Sequence, residues 1–470
     1  MQSRWLVPAA MIVAAAGCVP GRSEVFGPVA TGATSRTGYD VAWRSPMMND
    51  ARVRAAVEEL LADDLTLDEA IRIGLLNSRR LQASFDELGI ARGDLATASV
   101  LRNPEIEAQV RFTAGDDPDI ELDVVQDVLG LMTLGRRRGI LSAELESARM
   151  DAIGAAVDLV AEVRRDYYTT QAAEQRLEMR RTVFDATDAS FTLAQRLHDA
   201  GNVTDLELLR ERDVHEQARI DLAGAEALRL QSRERLHAAL GLWGEQTTWT
   251  LPLRLEPPPA DEIDLEHFER AAVERSLELE AVRWRLRAAG GRVGLARLDR
   301  WLPELGVGVS AERDGETGDW GVGPAVVVAI PLWDRNTGAI ERSEAAHSQS
   351  QHQYAALAVK VRAEARATRQ RLRAARAQAE AYRDTVLPLR AELVAETQKA
   401  RNAMAASSFE LLQAKRRQIE AGAEYVDALL DYWLARTAAE QTLAGRRPGA
   451  ALAGLASADR SEDMTTGEHP

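Results

Sequence analysis

The chain has 470 residues, a formal net charge of −15 and only 5% aromatic residues. The acidic balance argues against nucleic-acid binding, and the Ala-, Leu-, Glu- and Arg-rich composition favours long helices over a thick aromatic core. A single cysteine excludes a disulfide framework.

Residues 1–17 read as an export signal. Arg4 is a basic n-region, and Trp5–Ala16 is apolar but too short to span a bilayer, which takes about 20 residues. Ala15-Ala16-Gly17-Cys18 follows, the arrangement at which a bacterial lipoprotein signal is cut and its cysteine acylated. Lipid attachment is therefore expected at Cys18, the alternative being an ordinary signal peptide with an incidental cysteine. Residues 18–64 are expected to be a tether, Gly-, Pro- and Ser-rich and extended to about residue 48, then a short amphipathic helix over Asn49–Asp63. Thr66-Leu67-Asp68-Glu69 is a capping box that opens a helix predicted to reach about Val100, and Asn103-Pro104 ends it.

The period then changes. Glu105, Glu107, Gln109 and Arg111 alternate with Ile106, Ala108, Val110 and Phe112, the two-residue step of a strand with one apolar face. Gly115-Asp116-Asp117-Pro118 marks a turn, and Ile120, Leu122 and Val124 begin a return strand, so a β-hairpin is predicted at about 104–131. A very long helix follows, in which Ala156, Val163, Thr170, Leu177, Phe184 and Phe191 recur at a heptad step. Ala200-Gly201-Asn202-Val203 breaks it. Thr204-Asp205-Leu206-Glu207, another capping box, opens a helix running back to about Leu240. Residues 245–262 form a Pro-rich linker.

The chain is then written a second time. Leu65–Phe112 returns in outline as Ile263–Ser310, with Leu67 matching Leu265, Ser78 matching Ser276 and Leu88 matching Leu286. Two structurally equivalent repeats are expected, 65–244 and 263–444. In the second, the parity of Leu305, Val307, Val309 and Ala311 and of Trp320, Val322, Val326 and Val328 predicts a hairpin at about 303–332. Its rod runs from about Ala339 to Ala403, with Tyr354, Val361, Thr368, Ala375, Tyr382 and Leu389 on one heptad series and Ala358 to Leu393 on another. Such a rod is about 90 Å long at 1.5 Å per residue, and Pro388 is expected to kink it. Ala403–Ala406 matches the first break, and Ser407-Ser408-Phe409-Glu410 caps a helix to about Leu443. Residues 445–470 are expected to be disordered.

The fold class is thus mostly α with a small β part. Four amphipathic strands cannot stand alone in lipid, because only a closed barrel removes the unpaired edges and single-chain barrels start at about eight strands. Pooling the hairpins of several copies into one barrel, and their helices into one tube, satisfies both the edges and the seams.

At this point the chain resembles the TolC-like outer-membrane factors of tripartite efflux systems. The resemblance covers about residues 50–445 and rests on the order of LTLDEA, NPEI, GRRRG, AGNVTDLELLRER, LPEL, IPLWDR, VLPL and SSFELLQAK. It implies a homotrimer in the outer membrane of a Gram-negative bacterium, with a shared 12-stranded transmembrane β-barrel and a periplasmic α-barrel tunnel. It also implies that a periplasmic adaptor and an inner-membrane efflux pump dock at the tunnel's tip, that the channel is a passive exit duct, and that it is not an enzyme. The LTLGRRRG stretch looks somewhat like the heavy-metal branch.

The same resemblance places acids at the tunnel's closed end on Glu207 and Glu410, as a periplasmic gate; as residues, both are also explained as capping-box acids. Gln413 stands where some members carry a second acid, and Met404 stands where the tip glycine is present as Gly201. Adaptor contact is accordingly expected at Gly201, Asn202, Val203, Thr204 and Asp205 rather than at Met404–Ser408. Arg136, Arg137 and Arg138, where the hairpin is expected to leave the barrel, and Trp320 are expected as anchors at the lipid interface, the alternative for the arginines being a solvated turn.

No cofactor, metal or catalytic group is expected. The seven histidines are scattered, and His347 and His352 are badly spaced for one helix face. Two other readings stay open on residues alone. One is a lipid-anchored periplasmic coiled-coil scaffold without a pore. The other is a metal-binding periplasmic helical protein.

Overall fold

The computed structural model describes residues 20–44, 50–112, 118–301, 304–315 and 317–449. The expected signal peptide, Cys18, residues 115–117 of the first hairpin turn, Pro303 and the tail beyond residue 449 lie outside the described residues. The chain divides into two compact units, one from segments 1–31, 83–153 and 277–359, the other from 32–82, 154–276 and 360–470. Each unit draws on both repeats.

In the first unit, β1 (Glu105–Arg111), β2 (Asp119–Asp127), β3 (Glu304–Arg313) and β4 (Trp320–Ala329) form one antiparallel sheet in the order β1-β2-β3-β4. Ile106 lies opposite Val124, which lies opposite Val309, which lies opposite Pro324. One step along, Ala108, Leu122, Ala311 and Val322 make a second row. Residues opposed in an antiparallel ladder share a face, so the alternation read on each strand becomes one shared apolar face, with Gln126 and Arg313 as its polar members near the ends of β2 and β3. The reverse face carries Glu105, Glu107, Gln109 and Arg111 of β1, Asp119, Glu121, Asp123 and Asp127 of β2, and Glu304, Ser310 and Glu312 of β3. A β-carbon at Gly308 would collide with the Val124 carbonyl, so this position must be glycine. Pro324 sits inside β4, an edge strand of the protomer, where a missing N–H is tolerated.

β2 passes directly into α5 (Val128–Asp199), because the Asp127 carboxylate accepts from the Gly130 amide at 2.7 Å and caps the new helix. Arg136, Arg137 and Arg138 therefore lie inside α5 and not in the exit turn that the sequence suggests. The start of α5 packs on α8 (Leu277–Asp299) through Ile140, Ala143 and Ala288, with Trp284 and Leu295 at the margin. Gly291 lets them close, since a β-carbon there would come within 2.7 Å of Ile140 Cγ1.

The expected extended tether is instead a helix, α1 (Arg22–Thr37). Val25, Val29 and Ala33 fall on one helical stripe and are fully buried, and this burial overrides a composition poor in helix formers. In the first unit Phe26 meets Phe85 edge-on at 5.1 Å, Arg92 Nε donates to the Pro20 carbonyl at 2.7 Å, and Arg149 Nε donates to the Val25 carbonyl at 3.3 Å.

The second unit holds the packed helical seams. α2 (Asp50–Leu60) precedes α3 (Leu67–Asn77), which opens on the expected Thr66 capping box. The helix expected to reach Val100 is interrupted at Ser78, whose ψ of 113° ends α3 while its hydroxyl accepts from the Leu81 amide at 3.2 Å, starting α4 (Arg79–Ala98). α6 (Asp205–Leu240) and α7 (Phe268–Glu274) follow. In α5, Ala156, Val163, Thr170 and Leu177 of the heptad series are buried.

In α9 (Thr337–Ala381), Val361, Ala365, Thr368, Leu372, Ala375 and Ala379 are buried, so the two predicted series interleave as a seam over this stretch. The second rod is not one helix: a π-turn, Tyr382–Val386, separates α9 from α10 (Leu387–Asn402), with Pro388 in the first turn of α10. The π-turn links Leu387 N–H to the Tyr382 carbonyl and re-registers the backbone just before the residue that has no N–H to give. α11 (Ser408–Leu443) completes the unit, where Glu262 accepts from Arg376, Arg436 and Tyr432, and Trp433 Nε1 holds the Glu256 carbonyl of the linker at 2.9 Å. Arg36, at the end of α1, donates from Nη1 to the Arg275 carbonyl at 3.0 Å and the Ala444 carbonyl at 2.7 Å, the C-terminal ends of α7 and α11.

Candidate functional site

The turns joining α5 to α6 and α10 to α11 are built by the same bonds. Gly201 N–H donates to the His198 carbonyl at 2.8 Å and Asn202 N–H to the Leu197 carbonyl at 2.8 Å. Met404 N–H donates to the Arg401 carbonyl at 2.9 Å and Ala405 N–H to the Ala400 carbonyl at 2.9 Å. Each pair is the double closure of a Schellman motif, which demands left-handed backbone at the first residue past the helix. Gly201 has φ of 77° and Met404 φ of 60°. The missing glycine in the second turn therefore does not change the turn's geometry.

Past each turn stands its capping box. Thr204 N–H donates to Glu207 Oε2 at 2.8 Å, and the Thr204 hydroxyl accepts from the Glu207 amide at 3.3 Å. Ser407 N–H donates to Glu410 Oε2 at 2.6 Å, and the Ser407 hydroxyl accepts from the Glu410 amide at 3.1 Å. The Thr204 amide and hydroxyl hold the Glu207 carboxyl below its ordinary range. Each acid is thus committed to its own helix start, with one oxygen left for other contacts. Glu410 also lines a cleft of about 420 Å³ between α10 and α11, with Arg390, Gln413 and Arg417.

The first turn carries a bridge that the sequence did not disclose: His198 Nε2 lies 2.7 Å from Asp205 Oδ1, across the turn. The two are seven residues apart, a spacing that signals nothing until the turn folds them together. Higher in the same hairpin, His215 lies against the rings of Phe191 and Phe184, with centroids 5.4 and 5.3 Å away. Among the described residues, no group of three or more His, Cys, Asp or Glu side chains is placed to hold a metal ion. Trp320 opens β4 on the apolar face, opposite Arg313. Arg136 and Arg138 are exposed on α5, apart from these turns in sequence.

Among the described residues, no helix is long and apolar enough to cross a membrane. The model of the family described as outer membrane efflux protein matches residues 131–242 and 270–445. The chain belongs to the outer membrane efflux protein family. It is 25% identical over 300 residues to the cobalt-zinc-cadmium resistance protein CzcC of Cupriavidus metallidurans, covering 61% of this chain and 69% of that one. Its fold matches the outer membrane protein VceC of Vibrio cholerae with a TM-score of 0.66 at 14% identity, over 81% of this chain and 96% of that one. It also matches the outer-membrane channel OprN with a TM-score of 0.61 at 19% identity, over 88% and 95% of the two chains. As a family member it is an outer-membrane efflux channel with a periplasmic tunnel. The four strands are one protomer's share of a transmembrane barrel that further copies complete.

Proposed function

We propose that three copies of this chain assemble into one duct, which a periplasmic adaptor joins to an inner-membrane pump. The observation that carries this is the register: four strands share one apolar face, interrupted at its ends by Gln126 and Arg313, and leave β1 and β4 as open edges, a sheet that lipid accepts only when closed. The turn Gly201–Asp205 is the adaptor contact. Glu207 and Glu410 ring the tunnel's end, each serving cap and gate together. Cys18 carries the acyl anchor, with Arg136, Arg137, Arg138 and Trp320 at the lipid interface.

A narrower reading, that the cargo is cationic, is favoured by the polar face of the sheet, where carboxylates at Glu105, Glu107, Asp119, Glu121, Asp123, Asp127, Glu304 and Glu312 face Arg111 alone among basic residues. The name of the Cupriavidus relative points the same way. Native mass of the detergent-extracted protein, with conductance in planar bilayers, tests the assembly. Trimers that form pores are expected; a monomer without conductance overturns the reading.

A further inference from the structure

The chain is acidic overall, yet one cavity of about 540 Å³ in the second unit has a basic lining. Arg36, Arg164 and Arg275 line it with Glu440, and Ile263 and Leu443 supply apolar wall. Glu440 is already committed: one oxygen pairs with Arg164, and the other accepts from Arg436 Nε at 3.1 Å. That pair neutralises Arg164. It does nothing for Arg36 and Arg275, which have no carboxylate partner among the described residues. Two like charges on one wall repel, and the Arg36 guanidinium is held below its ordinary value by burial and by Arg275.

The fold keeps the two cations together. Arg36 Nη1 donates to the Arg275 and Ala444 carbonyls, which anchors its guanidinium beside Arg275. Gly445 makes the room. Its φ is 95°, and a β-carbon there would come within 2.2 Å of the Arg275 carbonyl oxygen and 2.6 Å of Arg36 Nη1. Nη1 thus serves the main chain, while Nε and Nη2 keep their donors for another acceptor. The Arg275 side chain makes no hydrogen bond among the described residues.

This pair defines the ligand. A carboxylate balances one of the two charges. A phosphoryl group carries about −1.5 to −2 near neutral pH and offers three acceptor oxygens, which arginine forks grip bidentately. The cavity is larger than that group alone needs, and Ile263 and Leu443 can seat what is esterified to it. We propose that this cavity binds the phosphoryl dianion of a phosphate monoester between Arg36 and Arg275. The bound anion cancels their repulsion and ties the end of α1 to the end of α7. The site is complete within one protomer.

Arg275→Gln tests it, because Arg36 grips the Arg275 carbonyl and not its side chain, so that bond survives the substitution. Detergent-solubilised, full-length channel is titrated calorimetrically with inorganic phosphate, and separately with dihexanoyl phosphatidic acid, in chloride buffer of constant ionic strength. Thermal unfolding is followed in the same solutions. For the parent, saturable binding and a Tm that rises with ligand are expected. For Arg275→Gln, the expected Kd is weakened about tenfold or more, with a ligand-free Tm equal to or above the parent's. Arg212→Gln, the same charge change on α6, should bind as the parent does. Binding of inorganic phosphate shows that a free anion suffices, and binding of the phosphatidic acid alone assigns the site to a lipid headgroup; either sustains the proposal. No saturable binding by the parent, undiminished binding by Arg275→Gln, or an equal rise in Tm with acetate at the same ionic strength overturns it.

Discussion

Glu107 stands directly opposite Asp123 across the first hairpin, and Glu121 stands opposite Glu312 across the junction of the two repeats. Facing carboxylates cost stability in an antiparallel ladder. In a closed barrel this polar face lines the lumen, where the same charges attract cations. Glu107→Gln with Asp123→Asn is expected to lower the cation-to-anion permeability ratio, read as a shift in reversal potential under a salt gradient. The shift should shrink as ionic strength rises. An unchanged reversal potential would place the selectivity elsewhere in the duct.

The opposite face tests the membrane assignment. Val110→Arg and Val309→Arg put a charge on the apolar face and are each expected to cost about 2–4 kcal/mol of assembly stability near the bilayer midplane. Ser310→Arg, one residue along on the polar face, should be tolerated. Heat-resistant oligomer on semi-native gels reports the difference, and equal tolerance of all three would contradict a lipid-facing apolar side.

Glutamine serves a capping box as well as glutamate does. Glu207→Gln and Glu410→Gln should therefore leave the Tm nearly unchanged while removing charge from the two turns. If these acids also gate, single-channel conductance and its block by divalent cations should change. Thr204→Ala is the reverse control, expected to cost about 1 kcal/mol of stability through loss of the cap.

These turns show how much the sequence discloses. The capping boxes at Thr66, Thr204 and Ser407, the parity of all four strands and the heptad seam from Val361 to Ala379 are local patterns, and the fold uses them as written. What stayed hidden depends on contacts remote in sequence. α1 is helical because Val25, Val29 and Ala33 are buried by partners far along the chain. The π-turn before Pro388 is one of several ways to accommodate a proline, and composition does not choose among them. The His198–Asp205 bridge exists only once Gly201 turns the chain.

Burial, reinforced by Glu162, pushes the Asp166 carboxyl up to about 6 from an ordinary value of 3.8. A raised carboxylate pKa means the folded state holds its proton where the unfolded chain has lost it. The resulting destabilisation is absent below pH 4, grows between about pH 4 and pH 6, and is constant above. Asp166→Asn should thus stabilise the channel by roughly 3 kcal/mol at neutral pH and by almost nothing at pH 4. Thermal unfolding of both forms across that range checks the sign, and a gain independent of pH would show that the carboxyl is not the cause.

Arg36 belongs to the opening stretch of the chain, yet one of the two carbonyls it grips is that of Ala444. That latch cannot close until the final helix has been synthesised and seated. A product cut short before α11 would hold α1 by its Phe85, Arg92, Arg149 and Arg275 contacts, with one arm of the clasp left empty.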